Sequence, residues 1–185
     1  MKNHTLIAAL ALLLGLVTAC TSIDCPMNNM VYTSYALLNA NGEPDTLKDT
    51  LSIVTNRRFP DQMPVLINKE FGATKLNVPI SYDSPDDVFF FLFSNIITHN
   101  DTVYTSDTEY EIVTTRTPYV AIDTVTVSKT DFMHFESLDC NPSYFHTISG
   151  VKYTRNRIDS IVVNNKDVNY DFSKEQFHIY FGPRR

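Results

Sequence analysis

Residues 88–115 read VFFFLFSNIIT-HND-TVYTSDTEYEIVTT, and the state of this stretch decides the fold. Phe89 to Phe93 is intensely apolar, yet Asp86 and Asp87 precede it and Ser94 ends it. A membrane-spanning helix needs about 20 apolar residues, so this short run reads as a buried strand. Val88 to Thr98 and Thr102 to Thr115 are rich in β-branched and aromatic residues and flank His99-Asn100-Asp101. The pattern predicts a hairpin that turns at those three residues.

The same residue types extend outward from this hairpin. The chain has 12 Phe and 10 Tyr with no Trp, and no ten-residue helical period. Upstream, Met30 to Leu38 alternates and stops at Asn39-Ala40-Asn41-Gly42, whose Asn-Gly dipeptide tolerates positive φ. Thr46 to Thr55 predicts a second strand. Met63 to Ile67 and Lys75 to Ser81 are shorter and lie near prolines, which suit a sheet edge better than a central position. Downstream, strands are expected at Tyr119 to Ser128, Asp131 to Leu138, Phe145 to Tyr153, Ile158 to Val163 and Gln176 to Phe181. Many short strands with turn signals between them predict an all-β protein, an antiparallel β-sandwich, immunoglobulin-like or related.

The N-terminus predicts a leader. Met1-Lys2-Asn3-His4 precedes an almost unbroken apolar run from Leu6 to Val17, the layout of a secretory signal peptide with its h-region of about 7–15 residues. Val17-Thr18-Ala19-Cys20 resembles the bacterial lipobox, in which the cysteine is acylated and becomes the mature N-terminus. The expected organisation is a signal peptide over 1–19, a lipidated tether over 20–28 and a single sandwich domain over 29–185. Acyl chains contribute about 0.8 kcal/mol per buried methylene, so an N-terminus carrying several palmitate-like chains holds the body permanently at a membrane.

With Cys20 acylated, Cys25 and Cys140 remain as an even pair in an oxidising compartment, where thiols persist as disulfides. A bridge between them closes a loop that the chain-entropy model values at about 4.7 kcal/mol. Neither cysteine sits in a C-x-x-C pair or beside a histidine. Lysine and arginine number 15 against 21 acidic residues, and loss of the leader removes Lys2 and no acid. That balance argues against a nucleic-acid partner, which demands a clustered basic surface. Lys152, Arg155 and Arg157, interrupted by Asp159, read as a solvated loop.

An Asp-Thr/Ser-aliphatic phrase recurs at Asp45-Thr46-Leu47, Asp49-Thr50-Leu51, Asp101-Thr102-Val103, Asp123-Thr124-Val125 and Asp159-Ser160-Ile161. Asp closing a turn on local amides before a strand explains it. The phrase also resembles the O-glycan acceptor motif of secreted Bacteroidota proteins, which would make Thr46, Thr50, Thr102, Thr124 and Ser160 acceptors.

The lipobox, the early second cysteine, the central hairpin, Phe135-Glu136-Ser137-Leu138-Asp139-Cys140, Ile158-Asp159-Ser160-Ile161-Val162-Val163-Asn164-Asn165 and His178-Ile179-Tyr180-Phe181 together resemble an uncharacterised family of small Bacteroidota outer-membrane lipoproteins. Members often carry glycine after the later cysteine, where this chain has Asn141, another residue able to enter the left-handed region. The resemblance implies compartment and fold and carries no catalytic residue.

Signs of an enzyme are sparse. G-x-S-x-G is absent, and the five glycines are too dispersed to cradle a phosphate. His134 and Glu136, two apart on an expected strand, would share a face, and with His146 and His178 on later strands they are weak candidates for a metal site, His134, Glu136 and His146 first among them. Asp83, Asp86 and Asp87 around Ser84-Pro85 lack the spacing of an EF-hand and read as a turn. No cofactor is expected. The sequence points to a non-enzymatic, lipid-anchored binding or assembly module that offers a strand edge or loop to an envelope protein. The alternatives are a small-ligand or glycan binder and, behind it, a metal-dependent hydrolase. A single acid, Asp24, follows Cys20 closely, which favours the periplasmic face of the outer membrane over the cell surface.

Overall fold

The computed structural model describes Cys25 and residues 31–56, 64–106 and 108–184. The expected leader and Cys20 lie outside these residues. The chain divides into two units, Met1–Asn29 with Phe135–Pro142, and Met30–His134 with Ser143–Arg185. In the first, a disulfide joins Cys25 to Cys140 with Cα atoms 5.4 Å apart, and the Cys140 N–H donates to Ser137 O at 3.2 Å. Within the span expected as one domain from residue 29, Phe135–Pro142 thus groups with the segment that the disulfide links to it.

The second unit is a β-sandwich with no helix among the described residues. Its strands are β1 (Tyr32–Leu38), β2 (Thr50–Thr55), β3 (Val65–Glu70), β4 (Lys75–Pro79), β5 (Asp86–Tyr104), β6 (Tyr110–His134), β7 (Ser143–Tyr153), β8 (Ile158–Val163), β9 (Asp167–Val168) and β10 (Phe177–Phe181). One sheet has the order β4-β1-β10-β8 and the other β3-β2-β5-β6-β7-β9. Both proline-flanked segments are sheet edges, as the sequence predicts: Pro64 precedes β3, and Pro79 ends β4. A missing N–H is tolerated there because no ladder is broken.

Alternation places one side of each strand in the core. Tyr35, Leu37, Leu76, Val78, Phe177 and Ile179 of the smaller sheet are buried together with Leu51, Ile53, Phe89, Phe91, Phe93 and Val125 of the larger. The Tyr35 ring stacks on Phe177 at 4.7 Å and meets Phe91 edge-on at 6.0 Å. Phenylalanines of the opening stretch thus fill the centre, at inward positions only.

Three departures from the expected pattern shape the rest. The β1–β10 pair runs parallel while every other pair is antiparallel. Two antiparallel pairs, β4–β1 and β10–β8, meet side by side, and their seam is bridged by Gln176, whose Oε1 accepts from Ser34 N–H at 2.8 Å. Second, the hairpin does not turn at His99-Asn100-Asp101. Those residues pair with Thr115, Thr114 and Val113, and the turn lies at Thr105–Glu109, where Thr105 N–H donates to Glu109 O at 2.9 Å. Ser106 Oγ accepts from Glu109 N–H at 3.1 Å, a local side-chain closure that competes with the ladder. Third, the strand expected from Thr102 is split by that turn, and its part from Tyr110 onward fuses with the strands expected from Tyr119 and Asp131 into the single 25-residue β6. Pro118 does not break it, since β7 joins β6 only from Val125 and the strand is an edge at that point.

Candidate functional site

The fused hairpin makes the surface of interest. β2 flanks β5 only as far as Ser94, and β7 flanks β6 only from Val125 to His134. Between them Ile96–Tyr104 and Pro118–Tyr110 pair with each other alone. At about 3.4 Å per residue this two-stranded ribbon projects roughly 30 Å.

The ribbon is solvent-exposed on both faces, and each face carries large apolar side chains among polar ones. Tyr104 is 75 % exposed, Tyr110 64 % and Ile96 63 %. By alternation these lie on one face with Ile112, while Ile97, Val103 and Val113 lie on the other. The Tyr104 and Tyr110 rings meet at the tip, 6.3 Å apart. Polar contacts tie the middle: His99 Nε2 lies 2.8 Å from Asp101 Oδ1, and Thr114 Oγ1 donates to Asn100 Oδ1 at 2.9 Å. An isolated two-stranded hairpin is marginally stable in water, and exposed apolar surface of this kind marks interaction sites.

Two buried polar networks anchor the body from which the ribbon springs. Asp49 is fully buried and accepts from Arg157 Nε at 2.6 Å, Arg184 Nε at 2.8 Å and Asn95 Nδ2 at 2.9 Å. Arg157 also donates to Gly182 O and stacks over the Phe181 ring at 4.9 Å. It is 6 % exposed, which corrects its reading as part of a solvated loop; Lys152 and Arg155 are exposed as expected. Burial alone would raise the Asp49 carboxyl, but the bonds from Asn95, Arg157 and Arg184 outweigh it and hold the group below its ordinary range. Asp123, also fully buried, accepts from Thr154 Oγ1 and the N–H groups of Asn156, Arg157 and Ile158. A cleft of about 180 Å³ nearby is lined by Arg155, Asn156, Arg157, Asp159 and Gly182, smaller than the roughly 300–1,000 Å³ typical of small-molecule sites.

The second network surrounds Lys129, whose buried ammonium donates to Asp131 at 2.7 Å and Ser84 O at 2.9 Å and lies 3.8 Å from Asp87. Asp131 also bonds His146 Nδ1 at 2.6 Å. Burial holds His146 below its ordinary pKa, with the Asp131 bond opposing and Lys129 assisting. A ring kept neutral by the fold stabilises it above the unfolded pKa of about 6.5, and that contribution is lost as pH falls through the lower folded value. The urea midpoint is therefore expected to drop between pH 7 and pH 5, and His146→Gln should flatten that drop; an unchanged slope in the variant would refute the assignment.

The metal candidates do not converge. His146 opposes Asp131, three residues before His134 on β6, so His134 and His146 fall on opposite faces of the sheet. His134 instead stacks on Phe145 at 4.3 Å. Glu136 lies beyond the end of β6, not two along the same strand. Among the described residues no group of three or more His, Cys, Asp or Glu side chains is placed to hold a metal. Of the Asp-Thr/Ser phrases, only Asp45 caps its own neighbour, accepting from Thr46 N–H at 2.8 Å. Asp49 and Asp123 are buried acceptors, and Asp101 and Asp159 lie inside strands. Thr46 and Thr102 are exposed, while Thr50, Thr124 and Ser160 are half-buried.

One missed residue left a signal. Asp123 occupies an inward slot between Ala121 and Val125, a polar interruption of the period-2 stripe. Asp49 and Arg157 left none, being 108 positions apart. The family model for the family of unknown function DUF6452 matches residues 50–181. No curated protein and no solved structure matches the chain. The matched span runs from the first residue of β2 to the last of β10 and includes the whole ribbon, and the chain belongs to this family of unknown function.

Proposed function

We propose that this protein is a non-enzymatic, lipid-anchored module of the bacterial outer membrane that binds or assembles with another envelope component through exposed strand edges. The projecting β5–β6 ribbon, with exposed aromatic and aliphatic side chains on both faces, is the observation that carries the reading. The β4 edge is a further acceptor for an added strand, and the β3 edge is a weaker one, because register shifts and Lys69 at φ 54° interrupt it. The lipobox-like Val17-Thr18-Ala19-Cys20 supports acylation at Cys20, the likeness to Bacteroidota lipoproteins supports the source, and the single acid after Cys20 supports the periplasmic leaflet. Exposure supports Thr46 as an O-glycan acceptor, and Thr102 only in a chain whose β5 edge is unpaired, which intact mass reads directly.

Affinity capture from solubilised envelope tests the reading. One reproducible partner is expected with the wild-type chain and loss of that partner with Tyr104→Asp/Tyr110→Asp; equal capture by both would overturn the ribbon's role. Labelled palmitate is expected to enter the wild-type chain and not Cys20→Ser. A glycan-binding reading has one specific support, the contiguous rings of Phe132, Phe145, His134 and Tyr170. Binding of soluble oligosaccharides that Phe132→Ala abolishes would favour it over the protein-partner reading.

A further inference from the structure

We infer that the free β5 edge of the ribbon pairs with the same edge of a second copy of this chain, antiparallel and centred on Asn100. This rests on the interaction reading above only in treating the ribbon as a binding surface, and it names the occupant of one edge.

The direction of the main-chain groups follows from the ladder. The β5–β6 register runs without a shift from Asp86↔Ser128 to Tyr104↔Tyr110. Thr124 of β6 turns its N–H and C=O away from β5, bonding Thr154 Oγ1 at 2.9 Å and Thr154 N–H at 3.0 Å. Residues opposite one another alternate between facing inward and facing outward. Phe90, opposite Thr124, therefore faces β2, and so does every even-numbered residue of β5. β2 takes these groups as far as Ser94. Ile96 N–H is satisfied by Asn95 Oδ1 at 2.7 Å. Beyond it Thr98, Asn100, Thr102 and Tyr104 direct main-chain groups at an edge that no described strand covers.

This edge is its own complement. Laid antiparallel about a twofold axis at Asn100, it sets Thr98 against Thr102 and Ile96 against Tyr104 on one face. On the other it sets His99 against Asp101 and Ile97 against Val103. Thr–Thr and aromatic with β-branched pairs are stabilising cross-strand combinations, and a His99 ring N–H set against Asp101 is a donor facing an acceptor. A slide of two residues one way puts the Asp101 carboxylates against each other, the other way sets His99 against His99 and takes Asp101 away from its donor, and a slide of one exchanges the faces. The His99–Asp101 pair of each copy would meet its twin head to tail. Such a self-complementary patch is what a closed twofold dimer requires.

The opposite edge of the ribbon, on β6, and the β3 edge carry defences that this one lacks. Pro118 sits at an outward-facing position of β6 and has no N–H to give. β3 is interrupted by register shifts and by Lys69 at φ 54°. The β5 edge has no proline, lysine or bulge between Ile96 and Tyr104. Joining two ribbons also turns two marginal two-stranded hairpins into one four-stranded sheet. Thr102 would face Thr98 of the second copy, so the pairing needs Thr102 unmodified.

Cysteine trapping in cells expressing the full-length chain tests this. Cα atoms of a hydrogen-bonded antiparallel pair lie about 5.5 Å apart, within disulfide reach. Asn100→Cys, treated with copper–phenanthroline, is expected to give a reducible band at twice the chain mass, and Thr114→Cys, on the other strand, to give none. His99→Asp is expected to weaken self-association of the purified full-length chain about tenfold, and His99→Asp/Asp101→His to restore it. Equal trapping at 100 and 114, a monodisperse monomer at tens of micromolar, or failure of the double swap would overturn the pairing. A trapped band at another mass would assign the edge to a different chain and overturn it too, while leaving the envelope-partner reading intact.

Discussion

Asp123→Ala is expected to destabilise the protein by about 3–5 kcal/mol, among the largest losses any single substitution should cause. The carboxylate accepts from Thr154 Oγ1 at 2.8 Å and from the N–H groups of Asn156, Arg157 and Ile158 at 2.7, 2.8 and 2.8 Å. One side chain of β6 therefore organises the entire β7–β8 connection. Removing it leaves the buried N–H groups of Arg157 and Ile158 without acceptors, each costing about 1–3 kcal/mol. Urea unfolding measures the loss, and a cost under about 1 kcal/mol would show that the connection is held by something else. Asp123→Asn should recover little, because its amide presents donors to donors on one side.

Asp49→Ala is expected to cost about 3–5 kcal/mol through a different mechanism, an orphaned charge. Arg157, 6 % exposed, would keep its cation while losing the 2.6 Å bond to Asp49. Arg184 would lose its 2.8 Å anchor and with it the order of the residues after β10. Replacing both members, as in Asp49→Leu/Arg157→Met, should cost less than Asp49→Ala alone, since no unpaired charge is then buried. The pH dependence has a defined sign. Because the folded carboxyl titrates below its unfolded value, its contribution is complete above about pH 4 and is lost as pH falls through the folded pKa. Asp49→Asn should remove that part of the acid transition. Asp49 and Asp123 both grip Arg157, one by its guanidinium and one by its N–H, so the two losses should sum to more than the double variant shows.

These two carboxylates also mark where local reading of the chain stops. Each sits in an Asp-Thr-aliphatic phrase, and a turn-closing role fits the phrase equally well at all five places. Only Asp45 closes on its neighbour. What distinguishes Asp49 and Asp123 is the donor that reaches them, supplied by residues 108 and 34 positions away. The hairpin shows the same limit. His99-Asn100-Asp101 has turn-forming residues, but a ladder continues wherever both partners favour strand. The β-branched Val113, Thr114 and Thr115 of β6 supply that partner, lying opposite Asp101, Asn100 and His99.

The amino-acid sequence by itself determined that this is an all-strand protein, that Val88–Thr98 and Phe145–Tyr153 lie in strands, and that the segments beside Pro64 and Pro79 are edges. A period of two and the absence of an N–H are properties of a few consecutive residues, legible without a partner. Tertiary structure alone decided that β10 inserts parallel beside β1, that β5 and β6 outrun their neighbours to form a ribbon, and that Arg157 is buried on Asp49. Each of those depends on which distant segment lies alongside, and strand alternation looks the same whichever neighbour completes the hydrogen bonds.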